Sequence, residues 1–238
     1  MKRIFMYRLF AILCLIMFTS HVARADAQQQ LARYVPQLPQ LKAGSAAGDA
    51  SAQTILGGLY EYGVGVGKSE LEAVRLYRLA ANQGFAQAQA NLGRLYMLGK
   101  GVPQDDNEAA RWWNMAAGNG EQNAQIVMAK LYLAGKGVVW SGVDANFWLR
   151  LATLGKDTHL QQEALQGMTQ QRGHINWAEM EEARKRAEAW RPGMQQPLRQ
   201  GAAAAKAPST QTLGDTDACA IYKSTSEVAY QSCLNSRR

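Results

Sequence analysis

Three blocks of this sequence, opening at Gly48, Gly84 and Gly120, hold the same residues at a constant offset of 36 positions. Ala52-Gln53, Ala88-Gln89 and Ala124-Gln125 coincide at that offset, as do Leu59-Tyr60, Leu95-Tyr96 and Leu131-Tyr132. Gly63, Gly99 and Gly135 follow, then Gly65-Val66, Gly101-Val102 and Gly137-Val138. Ala73, Ala109 and Ala145 align, and so do Ala80, Ala116 and Ala152. A fixed period of this length marks a solenoid, because one unit cannot bury its apolar face alone and stacking supplies the core. Stacked repeats of this kind usually make a surface for another macromolecule.

Each copy reads as two helices. The first runs from the Ala-Gln pair past the Tyr, as in Ala86–Leu98, with Ala88, Leu92, Leu95 and Tyr96 on one face. Gly99 ends it, since glycine accepts the left-handed backbone that a helix C-terminus needs. Gly99-Lys100-Gly101-Val102-Pro103 is then a turn. The second helix opens on a capping signal in every copy: Ser69 with Glu72, Asp105 with Glu108, Ser141 with Asp144. The first residue of each pair accepts from a free N–H of the opening turn, and the acid favours the positive helix end. That helix is expected to bury Ala73, Leu76 and Ala80, then Ala109, Trp112 and Ala116, then Ala145, Trp148 and Ala152. Tyr60, Tyr96 and Tyr132, one per repeat at fixed phase, read as packing positions between helices.

The flanks are different in kind. Lys2, Arg3 and Arg8 precede an apolar run, Leu9 to Thr19, and Ala23-Arg24-Ala25 is a small-x-small site. Residues 1–25 therefore read as a secretory signal peptide cleaved after Ala25. The run is shorter than the roughly 20 residues of a spanning helix, although an uncleaved anchor is the alternative. Cleavage removes four of the 26 basic residues and none of the 19 acidic ones, so 22 basic residues remain against 19 acidic. A net charge that small gives no argument for nucleic acid. The expected location is outside the cytoplasm, in the periplasm. Residues 26–45 read as a lead-in with a short helix at Ala27–Tyr34. After residue 156 the pattern decays. Helices near Thr158–Gln171 and Trp177–Trp190 read as a degenerate pair, residues 157–191, that closes the last open face of the array. In the second of them Asn176 is the cap, and Trp177, Met180, Ala183, Ala187 and Trp190 share a face. Residues 192–216 read as a linker. Residues 217–238 hold Cys219 and Cys233, which in an exported protein read as a disulfide worth about 3 kcal/mol, with two free thiols as the alternative.

The Ala-Gln pair, Leu-Gly-x-Leu-Tyr, Gly-x-Gly-Val, the acidic-capped second helix with Ala and Trp, and the closing Ala-Ala resemble the Sel-one-like repeat, a cousin of the tetratricopeptide repeat. Ala88–Ala117 is the best copy, and the resemblance covers about 48–156 as three repeats, about 48–83, 84–119 and 120–156. It implies an all-α fold, a right-handed α/α superhelical solenoid whose first helices line the concave face. It also implies an adaptor role, commonly in envelope or signalling assemblies. The third copy departs from the pattern, with Met128-Ala129 where Leu-Gly is expected and Val139 in place of the proline.

Binding candidates follow from the repeat phase. Gly58, Arg94 and Lys130 are one repeat apart, so Arg94 and Lys130 are expected to stack on adjacent first helices as a short basic ladder for a peptide carboxylate or acidic segment. Glu61, Met97 and Leu133, three residues further on, would share that face. The alternative is that these are solvated surface charges. Catalysis is not expected. Beyond residue 25 the histidines are His159 and His174, without metal spacing, and no serine sits in a Gly-x-Ser-x-Gly elbow. No catalytic residue, metal or cofactor is assigned. The reading is a protein-interaction scaffold of the cell envelope, with a protein partner, no nucleic acid, and no membrane span after signal cleavage. The alternative is a cell-wall-binding or cell-wall-active protein whose specificity lies in the disulfide tail. N-terminal sequencing of the protein recovered from cells should start at Asp26; a start at Met1 would establish the uncleaved anchor instead.

Overall fold

The computed structural model describes residues 25–170 and 175–194, together with 196 and 198. Among these residues every regular element is helical. Residues 25–32 form α1. A 3-10 turn at Val35–Gln37 leads into α2 (Leu38–Ala46). The repeats supply α3 (Ala50–Tyr62) and α4 (Glu70–Asn82), α5 (Ala86–Leu98) and α6 (Asp106–Gly118), and α7 (Gln122–Ala134) and α8 (Gly142–Thr153). Two further helices follow, α9 (Thr158–Gln170) and α10 (Trp177–Ala189). Each helix of the array packs on the next in sequence order from α2 to α9, which is the contact pattern of an α/α solenoid.

Local chemistry sets each repeat. The first helices end on Gly63, Gly99 and Gly135, all left-handed, with φ of 70°, 64° and 62°. The second glycine of the turn has two reasons to be glycine. Gly101 and Gly137 have positive φ, and a Cβ at either would collide with a backbone carbonyl of the preceding repeat, Glu70 or Asp106. The caps form as read: Ser69 accepts from the N–H of Glu72, Asp105 from those of Asn107 and Glu108, and Ser141 from that of Asp144. The N–H of each capping residue reaches back to the carbonyl of Tyr60, Tyr96 or Tyr132, which closes the turn.

The Gln of the Ala-Gln pair joins one repeat to the last. Gln53, Gln89 and Gln125 are all buried, and each donates to a carbonyl at the end of the preceding helix. The acceptors are Ser45 at 3.2 Å, Ala81 at 3.1 Å and Ala117 at 3.4 Å. Each side group thus adds a second donor to a helix-end carbonyl that also accepts the N–H of Gly48, Gly84 or Gly120. Gln83 donates to Gln53 Oε1, and Asn119 to Gln89 Oε1, both at 2.9 Å. Ser45 stands one period before Ala81, so α2 is the second half of a further unit, in register with the rest. The prolines of the lead-in belong to helix starts, where a missing N–H costs nothing.

Within a repeat the two helices approach through glycine. A Cβ on Gly57 would stand 2.8 Å from Tyr77 Cε1, and one on Gly93 would stand 2.9 Å from Trp113 Cδ1. In repeat 3 both partners change: Ala129 takes the glycine position and Leu149 the aromatic one. The smaller Leu149 leaves room for the alanine methyl. This corrects the reading of α6. Trp113 is the tryptophan in the core, at 5 % exposure, whereas Trp112 is half-buried against the cluster of repeats 1 and 2. Tyr132 is buried, while Tyr60 and Tyr96 are half-buried.

The C-terminal helices depart from the expected pair. α9 packs on α8 and α7, but α10 takes α8 as its main helix contact. Asn176 and Glu179 form the capping box, yet Trp177 is 75 % exposed and only Ala183 and Ala187 of that face are buried. Arg186 bonds Asp144 at 2.7 Å and lies over the Phe147 ring. The segment expected as a linker begins tied to the array: Gly193 N–H donates to Gly118 at 2.7 Å, and Asn114 donates to the Gln196 carbonyl at 2.8 Å. The signal segment through residue 24, the residues beyond 198, and Cys219 and Cys233 lie outside the described residues.

Gly93→Ala should destabilise the protein by about 1–2 kcal/mol in urea denaturation, because overpacking against Trp113 outweighs the helix propensity of alanine. Adding Trp113→Leu should cost less than the two single effects summed, with a coupling of about 1 kcal/mol. Strict additivity would show that the glycine is not there for the aromatic.

Candidate functional site

The sequence-derived candidates converge on the first helices, but not as a ladder of free cations. Glu61 lies near the C-terminal end of α3 and is 4 % exposed. Two groups reach its Oε2: Arg94 Nη2 of α5 at 2.7 Å and the Tyr77 hydroxyl of α4 at 3.1 Å. Three helices from two repeats therefore meet at one carboxylate. Burial, and then the adjacent Glu61 charge, push the Tyr77 phenol well above its ordinary range, so it stays protonated and donates. Burial works against the Arg94 cation, but the hydrogen bond and charge of Glu61 outweigh it and the guanidinium is held more firmly charged than usual. A buried carboxylate needs this degree of pairing, since an uncompensated one would be expensive.

The equivalent positions differ. Lys130 pairs with Glu163 of α9 at 2.6 Å in the open, the two residues' side groups being 64 % and 35 % exposed. Gly58 holds no charge, and the space where a substituent would project is taken by Leu31 of α1, whose Cδ2 would be 3.2 Å from a Cβ there. Met97 and Leu133 stand where Glu61 does and pack, half-buried, against the main core cluster. Arg94 and Lys130 thus share a phase of the repeat but not an environment.

A cleft of about 360 Å³ opens beside Arg94. Residues of α1 and the following turn, Gln30, Leu31 and Arg33 among them, line it together with Thr54, Gly58 and Tyr62 of α3. Gln87, Asn91 and Arg94 of α5 complete the lining, and Tyr77 reaches it from α4. Arg33 lies 5.0 Å from the centre of the Tyr34 ring. The contribution of Tyr77 and of α1 does not follow from the sequence reading. One signal is present there: Glu61 occupies a phase where the other repeats have Met97 and Leu133, and an acid at a core phase calls for a buried partner.

Comparison with known proteins follows from the repeats. Residues 50–85, 86–121 and 122–157 match the Sel1 repeat family. Among solved structures, a Sel1 repeat protein from Oxalobacter formigenes is 33 % identical with a TM-score of 0.50, over 55 % of this chain and 98 % of that one. A protective antigen present in uropathogenic Escherichia coli strains, described as displaying an SLR fold, is 22 % identical with a TM-score of 0.49. That match covers 73 % of this chain and half of the antigen. No curated protein matches the sequence.

Arg94→Ala should cost about 3 kcal/mol in urea denaturation, because it strands Glu61 in the interior. Lys130→Ala should cost less than about 1 kcal/mol, since an exposed pair contributes little. Equal losses would mean that the two pairs are energetically alike despite their different burial.

Proposed function

Because the protein belongs to the Sel1 repeat family, we propose that it is a non-catalytic protein-interaction scaffold of the cell envelope that holds a segment of a protein partner against its first helices. Sel1 repeat proteins are generally protein-interaction scaffolds, and the stacked helices provide a rigid surface of that type. The observation that carries the choice of face is the cleft at Arg94, which is built from first helices of two successive repeats and α1. The leader pattern of residues 1–25 supports export, and an envelope setting follows from it.

The test is photo-crosslinking in cells from Gln87, which lines the cleft, and from Lys130, with exposed Lys185 of α10 as control, followed by mass spectrometry. One dominant protein captured from positions 87 and 130 and absent from 185 is the expected outcome. Identical adducts at all three positions, or none at 87 and 130, would remove the first-helix face as the binding surface.

A further inference from the structure

The cleft at Arg94 is rich in hydrogen-bond donors and has an excess of positive charge. The Glu61 charge cancels that of Arg94, and Arg33 at the rim remains. Arg94 bonds Glu61 through Nη2 alone, which leaves guanidinium donors for a second acceptor. Its side group is 29 % exposed, so the guanidinium is held from behind yet open to the cleft. Asn91 and Gln87 lie three and seven residues before Arg94 on α5, at helical spacing that puts all three along one side. Neither makes a side-chain hydrogen bond among the described residues. Thr54, Ile55 and Leu31 supply less polar surface beside them.

We infer that this cleft is a carboxylate-binding subsite of the scaffold, in which Arg94, oriented by Glu61, and the Asn91 and Gln87 amides receive a carboxylate borne by the partner segment. The inference rests on the scaffold reading and names the chemistry of the segment. A guanidinium presents paired N–H groups that match a carboxylate, and it forms short charge-assisted hydrogen bonds. Glu61 keeps Arg94 from having to be ordered on binding, which lowers the entropic cost. The ligand carboxylate approaches the guanidinium away from Glu61, since two acids on one edge would repel. Tyr77 stays protonated beside Glu61 and adds no negative charge. A carboxylate of this kind comes either from the free C-terminal end of a polypeptide or from an Asp or Glu within it.

Three peptides separate the possibilities when titrated into the purified full-length protein with NMR detection of the Asn91 and Gln87 side-chain amides: N-acetyl-trialanine as free acid, the same peptide as C-terminal amide, and N-acetyl-Ala-Glu-Ala amide. Saturable shifts with an acid-bearing peptide and none with the neutral amide are expected. Response to the free acid alone assigns C-terminal capture; response to the Glu peptide alone assigns an internal acidic segment; response to both shows a site that takes either source. Asn91→Asp should weaken binding about tenfold at unchanged melting temperature, because it sets a carboxylate three residues from Arg94 that repels the ligand and competes with it for the guanidinium. Shifts from the neutral amide equal to those from the acids, no shifts at all, or indifference to Asn91→Asp would overturn the subsite. Partner capture from Gln87 that persists undiminished in Asn91→Asp would leave the scaffold standing and remove only the carboxylate chemistry.

Discussion

Gly57 has no Cβ, and the placement of the charged cluster follows from that. With nothing in the way, the Tyr77 ring packs so close to α3 that a Cβ would stand 2.8 Å from it. The approach brings the phenol to Glu61, and Glu61 in turn holds Arg94 across the repeat boundary. A contact within one repeat is thereby converted into a contact between two. The later repeats keep the helix approach but not the conversion, since Trp113 and Leu149 have no hydroxyl and Met97 and Leu133 have no charge. The ion pair is therefore local to the first two repeats, and so is the cleft beside it.

The remaining junctions rely on a device that every repeat shares. Gln53, Gln89 and Gln125 each span from a first helix to the C-terminal carbonyl of the helix before it. A buried amide is costly unless it is paired, and Gln53 and Gln89 use both ends, so these residues fix register as well as contributing energy. The third repeat shows what happens when the pattern is relaxed. Gly155 stands where Gln83 and Asn119 supply donors, and Gln122 bridges instead, donating to Ala152 at 2.8 Å and accepting from Asp157 at 3.0 Å. The junction is remade from a different position of the same helix. Stability in such an array is close to a sum of neighbour terms, so a junction can be rebuilt locally without disturbing the others.

The repeats were legible in the sequence because their signals are local: a left-handed glycine, a capping serine or aspartate, an apolar face at helical spacing. What escaped depends on which of two adjacent residues meets a neighbour. Trp112 and Trp113 differ by one turn angle of about 100°, and only the close approach at Gly93 selects Trp113 for the core. Trp177 fits the apolar face of α10 by spacing, but α10 settles on α8 and leaves that end open. The lead-in reads as one short helix at Ala27–Tyr34, and the helix beyond it escapes that reading; Pro36 and Pro39 sit at helix starts, and α2 continues the repeat register. The candidate site was half legible. The phase of Arg94 and Lys130 follows from the period; the acids that hold them come from Glu61 in one direction along the array and Glu163 in the other, and no spacing rule distinguishes those directions.

The position shared by Gly58, Arg94 and Lys130 also explains why the first-helix face changes character along the array. At repeat 1 it is a recess, and α1 fills it: Leu31 sits at Gly58 while Gln28 bonds the carbonyl of Tyr62, so α1 and α3 run in opposite senses. A helix laid on a first helix is thus already realised once within the molecule. At repeats 2 and 3 the recess is occupied by a long cationic residue, and the same seating is closed. Shape is therefore used up on the protein's own N-terminal segment, and what the face presents beyond it is charge. Of the two cations, Lys130 shares a solvated pair that water and salt weaken, whereas Arg94 is fixed from below by a buried acid and walled by α1. Of these two repeat-phase cations, Arg94 is the one whose orientation the fold has already fixed.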